Sequence, residues 1–167
     1  NLNRAEMNGG LKSLNGYFDA LRVHQAPPGA APNEAEMRSL FIILQTGNPC
    51  HGQVHSNVLY ANQMMRTCPD VFTTVEVTMA LELFRAYREN DYAAFFKTAR
   101  SMPALMCMLA CALGYFEYVR AQALRRMNKA MRGAVSLSSV AKVLAMDAPE
   151  DAAALCAHHG LAVDPDN

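Results

Sequence analysis

The densest group of cationic residues lies between positions 120 and 132 and consists of Arg120, Arg125, Arg126, Lys129 and Arg132. Side chains that neutralise several phosphates give salt-dependent binding of nucleic acid with little sequence preference. A structural role explains the same residues, because the helix macrodipole favours cations at a C-terminus and long cationic side chains cover apolar surface. We therefore predict a nucleic-acid surface at positions 125, 126, 129 and 132, with a solvated helix end as the alternative. Arg120 lies beside an apolar stripe and is expected to bridge helices.

Three potential metal ligands lie close together at Cys50, His51 and His55. Histidines four residues apart share a helix face, but zinc needs further well-spaced ligands, and a glycine weakens the helix between these two. We therefore expect no metal site. Cys107 and Cys111 lie one turn apart in an apolar segment, where packing explains them better than catalysis.

No pattern typical of an enzyme stands out, whether a nucleophile elbow, a glycine-rich phosphate loop or a pair of carboxylates. Glu36 follows Asn33 at the spacing of a capping box, and Arg38 suits an ion pair between helices. We expect neither residue to act as a catalytic acid. We therefore predict that the chain is not an enzyme and needs no cofactor.

The composition is that of a globular protein without a strong overall charge. Its 167 residues are 51% hydrophobic, and 15 cationic residues balance 15 anionic ones. A function that depends on charge must therefore be local. Five cysteines without a tight framework indicate reduced thiols. The longest apolar run, 104–113, is too short to cross a bilayer, so we expect a soluble protein. The first residue is asparagine, and we expect a fragment of a longer polypeptide.

Hydrophobic residues recur with helical spacing along nearly the whole chain, and strand patterns are confined to its end. One long helix, 103–131, which Gly114 could bend, is expected to bury a stripe that includes Leu105, Met108 and Leu109. A cap at Ser136 and a proline at 149 open two short helices, and 161–163 has extended character. The segments predicted as helical are 3–23, 33–46, 51–66, 73–89, 92–101, 103–131, 136–144 and 149–160.

Three aromatic residues follow a polar turn in the stretch ENDYAAFF, 89–96. Asn90 can end one helix and cap the next. Tyr92, Phe95 and Phe96 share a face of that next helix, where buried rings lock the angle between consecutive helical hairpins. Stacked hairpins followed by two short helices and an extended segment predict a mainly α protein that ends in part of a winged helix, truncated before or within the wing.

Four blocks of the sequence resemble the SAC3/GANP family of messenger-RNA export scaffolds. They are EAEMRSLFIIL (34–44), ENDYAAFFK (89–97), YFEYVRAQALRRMNKAM (115–131) and VSLSSVAKVLAMDAPEDAAALCAHHGL (135–161). Met37 stands where the family usually has an aromatic residue, and Asp91 interrupts its common Gly-Asn-Tyr turn. These departures leave the subfamily open. Within these blocks the structural motif residues are Glu36, Arg38, Asn90, Tyr92, Phe95, Phe96 and Arg120.

The resemblance implies a helical-repeat region of PCI/TPR type over 1–132 and a partial winged helix over 133–167. It further implies a non-catalytic scaffold subunit of a nuclear, pore-associated export complex of the TREX-2 type. Its expected partners are a PCI-domain protein, a small acidic Dss/Sem-type subunit, and RNA or single-stranded DNA in the assembled complex. A structural subunit of a proteasome-lid or signalosome-like assembly, or a splicing-linked paralogue, is the alternative.

Overall fold

The protein is described here by a computed structural model that covers residues 4–25, 27, 30–46, 54–130 and 135–161, with the backbone alone for 54–57. The prediction of a mainly helical chain is confirmed, and the described residues contain no strand. The helices are α1 (Arg4–Val23), α2 (Glu34–Thr46), α3 (Val54–Thr67), α4 (Pro69–Phe72), α5 (Val75–Glu89), α6 (Tyr92–Ser101), α7 (Ala104–Ala112), α8 (Tyr115–Ala130), α9 (Leu137–Val143) and α10 (Pro149–His158).

Helix α2 is the central element and packs against α1, α3, α4, α5 and α7. Its pairing with α1 is antiparallel, since Asp19 contacts Arg38 near one end and Asn8 contacts Gln45 near the other. Because neighbours surround it, α2 buries successive residues and not a single stripe; Ile42 is among its fully buried side chains. This arrangement places the polar residues at the start of α2 within reach of three other helices.

In the turn between α5 and α6, one residue ends α5 and the next residue caps α6. Asn90 ends α5 in the left-handed conformation, with φ 53° and ψ 36°. The next residue, Asp91, caps α6, because its Oδ1 accepts a hydrogen bond of 2.9 Å from the amide of Ala94. The expectation that Asn90 caps both helices is therefore wrong. Because Asn90 has the left-handed conformation of a C-terminal cap, the next residue takes the N-terminal cap position of α6.

The helix predicted for 103–131 is not continuous, because the chain bends by 69° between α7 and α8, at the glycine where the sequence allows a bend. Gly114 has φ 75°, and its amide donates to the carbonyl of Cys111 at the end of α7. The bend turns Leu105 and Met108 outward, and Met106 enters the core instead. No single described helix is long and apolar enough to span a membrane. Among the described residues, α7 and α8 taken together across their bend are the one helix pair that reaches that length and hydropathy.

An aromatic cluster joins α5, α6 and α8 around the α5–α6 turn. Phe95 and Phe96 are buried and meet edge to face, with ring centroids 5.3 Å apart. The ring of Phe116 from α8 lies 5.5 Å from Phe95, and Tyr87 from α5 lies 5.1 Å from Tyr115. Contacts of this kind add to the hydrophobic gain and fix the crossing of these helices. The third residue of the sequence motif, Tyr92, is half-buried and packs against this core.

Helices α9 and α10 pack against each other and share the core of the preceding helices through Val140, Leu144 and Ala152. The predicted cap is present, because Ser136 Oγ accepts from the amide of Ser139. The extended segment 161–163 lies outside the described residues apart from Leu161, and the boundary between 132 and 133 lies outside them as well. The winged helix, its truncation and the PCI/TPR-like grouping of the helices therefore stay predictions.

Candidate nucleic-acid surface and arginine contacts

The structure separates the cationic cluster of the sequence into an exposed group and a structural residue. Arg125, Arg126 and Lys129 are exposed on the last turns of α8, while Arg132 lies outside the described residues. Arg126 is anchored, because its Nη1 donates a hydrogen bond of 2.8 Å to the carbonyl of Asn90 in the α5–α6 turn. Within the described part of the chain, no hydrogen bond or ion pair engages Arg125 or Lys129. These two side chains are therefore the freest to bind an anion.

Arg120 joins α8 to the C-terminal end of α9. Its Nε donates to the carbonyl of Leu144 at 3.1 Å and its Nη2 to that of Ala145 at 2.7 Å. The guanidinium lies 5.8 Å from the ring centre of Phe96 and 5.7 Å from that of Phe116. Carbonyls at a helix C-terminus lack partners within the helix and carry partial negative charge, which suits a cation. The side chain therefore bridges helices.

A second arginine holds the same end of α9. Arg100 of α6 donates from its Nη2 to the carbonyl of Lys142 at 2.8 Å. Together with Arg120, it ties the end of α9 to both α6 and α8. The orientation of the C-terminal helix pair relative to the rest of the chain is therefore set by polar contacts as well as by the shared core.

Arg38 forms an ion-pair site that ties α1, α2 and α3 together. Its side chain is only 1% exposed and donates to Asp19 Oδ1 at 2.6 Å, to Glu34 Oε1 at 2.9 Å and to the hydroxyl of Tyr60 at 3.2 Å. Glu36, the acid singled out in the sequence, is half-buried on the same helix, and its carbonyl accepts a hydrogen bond from Ser39. The acids that pair with Arg38 are therefore Asp19 and Glu34.

The ion-pair site extends through Arg22 to helix α4. Arg22 binds Glu34 with Nε and Nη2, at 3.0 and 2.9 Å, and binds both carboxylate oxygens of Asp70 at 2.9 Å. Bidentate pairs of this kind are stronger and more directional than single hydrogen bonds. Sequence reasoning missed Asp19, Arg22, Glu34, Tyr60 and Asp70; only the pair at 34 and 38 carries a local signal, since it has the i, i+4 spacing.

Burial and pairing shift the pKa values of several groups at these sites. Burial alone would raise the pKa of the Glu34 carboxyl, but hydrogen bonds from Arg22 and Arg38 outweigh it, so the pKa lies below its ordinary value. Burial raises the pKa of the Tyr60 hydroxyl and of the Cys107 and Cys156 thiols. Near neutral pH, Glu34 is therefore ionised and these two thiols are protonated.

The described residues contain no group of three potential metal ligands. Cys50 and His51 lie outside the description, as does the side chain of His55. Cys111 is exposed and Cys107 is half-buried, so the expectation that both pack in the core is wrong for Cys111. A cavity of about 430 Å³ opens beside Arg22, Glu34 and Asp70, and both polar and apolar groups line it. None of the residues selected from the sequence lines it.

The fold is that of a mainly helical domain whose buried polar side chains join helices, with free cations at one helix end. A model of the SAC3/GANP family matches residues 1–165. The chain therefore belongs to the SAC3/GANP family, and the resemblance found in the sequence is confirmed.

Three relatives illustrate this relationship. SAC3 family protein 1 of Schizosaccharomyces pombe is 29% identical across 94% of this chain, and SAC3 family protein B of Arabidopsis thaliana is 27% identical across 97%. Protein xmas of Drosophila melanogaster is 23% identical across 92%. The chain spans 16%, 9% and 7% of these three relatives. No solved structure matches.

Proposed function

We propose that this domain is a non-catalytic scaffold of a nuclear messenger-RNA export complex. The observation that carries the proposal is the match of the SAC3/GANP family across residues 1–165, since membership of this family supports an export-related scaffold role. The contact chemistry is consistent with it. Arg38 donates hydrogen bonds to both Glu34 and Tyr60, so these groups are engaged within the fold. Two of the thiols have a raised pKa, which lowers the thiolate fraction that nucleophilic catalysis requires.

The proposed partners are a PCI-domain protein and a small acidic subunit of the Dss/Sem type, with RNA or single-stranded DNA bound by the assembled complex. In this proposal Arg125 and Lys129 contact phosphates directly. Arg126 contributes charge while its Nη1 stays on the carbonyl of Asn90, and Arg132 extends the same basic segment. The freedom of the first two cations supports this division. Such contacts give binding that weakens as salt rises.

Filter binding with the reconstituted complex tests the nucleic-acid part. The double variant Arg125→Gln/Lys129→Gln removes two positive charges that have no described partner. Each lost phosphate contact should reduce the slope of log K against log salt by about 0.7 for a single strand. We expect a loss of about 1.4 in slope, with binding to a mixed-sequence and a polyuridine strand weakened by a similar factor.

A matched control removes one arginine and one lysine elsewhere. Lys12 on α1 and Arg66 on α3 are exposed, so Lys12→Gln/Arg66→Gln makes the same change in net charge. We expect the control to keep the wild-type slope. Equal slopes for both double variants would overturn the proposed phosphate contacts.

Purification of the full-length protein from nuclear extract tests the complex itself. The proposal expects a PCI-domain protein, a Dss/Sem-type subunit and polyadenylated RNA to be recovered with it. Recovery of proteasome-lid or signalosome subunits in their place would refute the export role and favour the alternative of a structural lid-type subunit.

A further inference from the structure

Helix α7 exposes an apolar strip on the side opposite the core. Leu105 is 46% exposed, Met108 is 66% exposed, and Cys111 follows them at the same three-residue interval and is also exposed. The helix, with the sequence ALMCMLACA, contains no charged residue. Isolated apolar residues are common on protein surfaces, but a continuous strip on an uncharged helix is typical of an interaction site.

An exposed carboxylate lies at the C-terminal end of this strip. Glu117 is exposed, and its Oε2 lies 3.8 Å from the position that a Cβ would take at Gly114, directly beyond α7. A ligand that covers the apolar strip would therefore gain from a cation at this end.

We propose that the α7 strip is a docking site for an amphipathic helix of a protein partner. In this arrangement apolar side chains of the partner helix cover Leu105, Met108 and Cys111, and a lysine or arginine of the partner reaches Glu117. Helices that bind in this way place apolar anchors at i, i+3 or i+4, and i+7, which matches the length of α7. The inference rests on the proposed scaffold role and adds a protein-binding surface on α7, apart from the phosphate contacts proposed for the last turns of α8.

The size and charge of the strip favour a partner helix over two other occupants. The strip consists of three side chains, whereas each partner in a stable dimer buries roughly 800 Å² with about 20–30 residues, so a second copy bound here alone would be weak. A helix from a protein that is also held elsewhere on a scaffold needs no more than this area. Membrane-bound helices carry lysine and arginine beside their apolar face, whereas this strip ends at a carboxylate.

Site-specific photo-crosslinking in the assembled complex identifies the occupant. A benzophenone amino acid replaces Met108 in the full-length protein, and a control protein carries it at Leu59 of α3, which is equally exposed at 68%. We expect position 108, and not position 59, to crosslink to a segment of another protein with helical apolar spacing and a nearby lysine or arginine. Crosslinks to the same chain, to a second copy, or to no protein would each overturn the proposal.

Synthetic peptides test the charge requirement directly. A fluorescent 14-residue alanine-based helix with a leucine stripe is made with lysines, glutamines or glutamates at both ends. Fluorescence anisotropy should show the lysine peptide binding about fivefold more tightly than the glutamate peptide, an effect of the size expected for an exposed charge pair. The variant Glu117→Lys should invert that order. Met108→Glu should weaken all three peptides at least tenfold, and Leu59→Glu should weaken none.

Three results from anisotropy, sedimentation and vesicle binding would contradict the proposal. They are equal affinity of the lysine and glutamate peptides, a dimer in sedimentation that Met108→Glu abolishes, and binding to vesicles of phosphatidylcholine and phosphatidylserine that Met108→Glu abolishes. The last two would assign the strip to a second copy and to a lipid surface, respectively.

Discussion

Replacing Glu34 by glutamine should destabilise the domain strongly, because this carboxylate lies between two arginines. Its side chain is 8% exposed and accepts hydrogen bonds from Arg22 and Arg38 at 2.9 to 3.0 Å. Removing one partner of a buried ion pair costs about 3–5 kcal/mol. Glutamine keeps one acceptor oxygen, and Arg38 keeps its contact with Asp19. We therefore expect the lower end of that range, about 3 kcal/mol.

Urea denaturation followed by circular dichroism measures this loss as a lower midpoint at an unchanged m-value. For a chain of this length, about 3 kcal/mol corresponds to a fall in melting temperature of roughly 6–12 °C. Glu36→Gln is the matched control, since Glu36 lies on the same helix and no described ion pair holds it. We expect the control to change stability by less than about 0.5 kcal/mol.

A graded comparison with Asp19 tests the physical reasoning behind this value. Asp19 also binds Arg38, but its side chain is 42% exposed, so water screens the pair and rehydrates the freed group. Asp19→Asn should therefore cost about 1 kcal/mol, clearly less than Glu34→Gln. If the Asp19 and Glu34 variants cost the same, or if Glu34→Gln matches the Glu36 control, the argument from burial is wrong.

Three further predictions follow from single contacts. The pKa of Glu34 is lowered in the folded state, so its contribution to the free energy of unfolding should be complete above about pH 4.3. That contribution should fall as the pH drops towards the pKa of the folded state. Urea titrations of wild type and Glu34→Gln should then give free energies of unfolding that converge as the pH falls. Arg120→Met should lower the free energy of unfolding by about 2 kcal/mol and speed hydrogen exchange in α9 and α10 more than in α1 and α2. A uniform increase of the exchange rate over all four helices would contradict the bridging role of Arg120. Ala145 has φ 51°, so Ala145→Gly should stabilise the protein by about 1 kcal/mol, measured by urea denaturation. The helical control Ala154→Gly should destabilise it by a similar amount. A loss of stability in Ala145→Gly would refute backbone strain at this residue.

The helices with local end signals could be predicted from the sequence, because the residues that end them act over a few positions. Ser136 caps α9 through the amide three residues on, and Pro149 occupies the first turn of α10. Gly160 ends that helix region with φ 71°. In each case the favourable conformation belongs to the residue type itself, so no distant contact was needed.

The sequence marks Gly114 as the place where the chain could bend between α7 and α8, but it does not decide whether it bends, because a glycine within a helical pattern is compatible with two outcomes. Gly114 would cost about 1 kcal/mol in a continuous helix, which the packing of a long apolar stripe could offset. In the structure, Gly114 has the left-handed conformation instead. The hydroxyl of Tyr115 donates a hydrogen bond to the carbonyl of Ile43, 72 residues earlier. That contact depends on the arrangement of α2, which local periodicity does not specify.

The ion-pair site shows the same limit for side chains. Glu34 and Arg38 are four residues apart on one helix, so their pairing has a local signal. The contact between Arg22 and Asp70 joins residues 48 positions apart. Many arginines and acids in the chain could form such a pair, and the packing of α1 and α4 against α2 selects this one.

Helical geometry explains why one cationic segment has two roles. At 100° per residue, Arg125 and Lys129 lie about 140° and 180° around the helix axis from Arg120. When Arg120 faces α9, Arg125 and Lys129 must face away from α9. Both side chains are exposed, which agrees with this geometry. Charge removal at positions 125 and 129 should therefore lower nucleic-acid affinity without lowering the melting temperature, whereas Arg120→Met should lower the melting temperature. A double variant at 125 and 129 that unfolds as readily as Arg120→Met would show that the cluster acts as one structural unit.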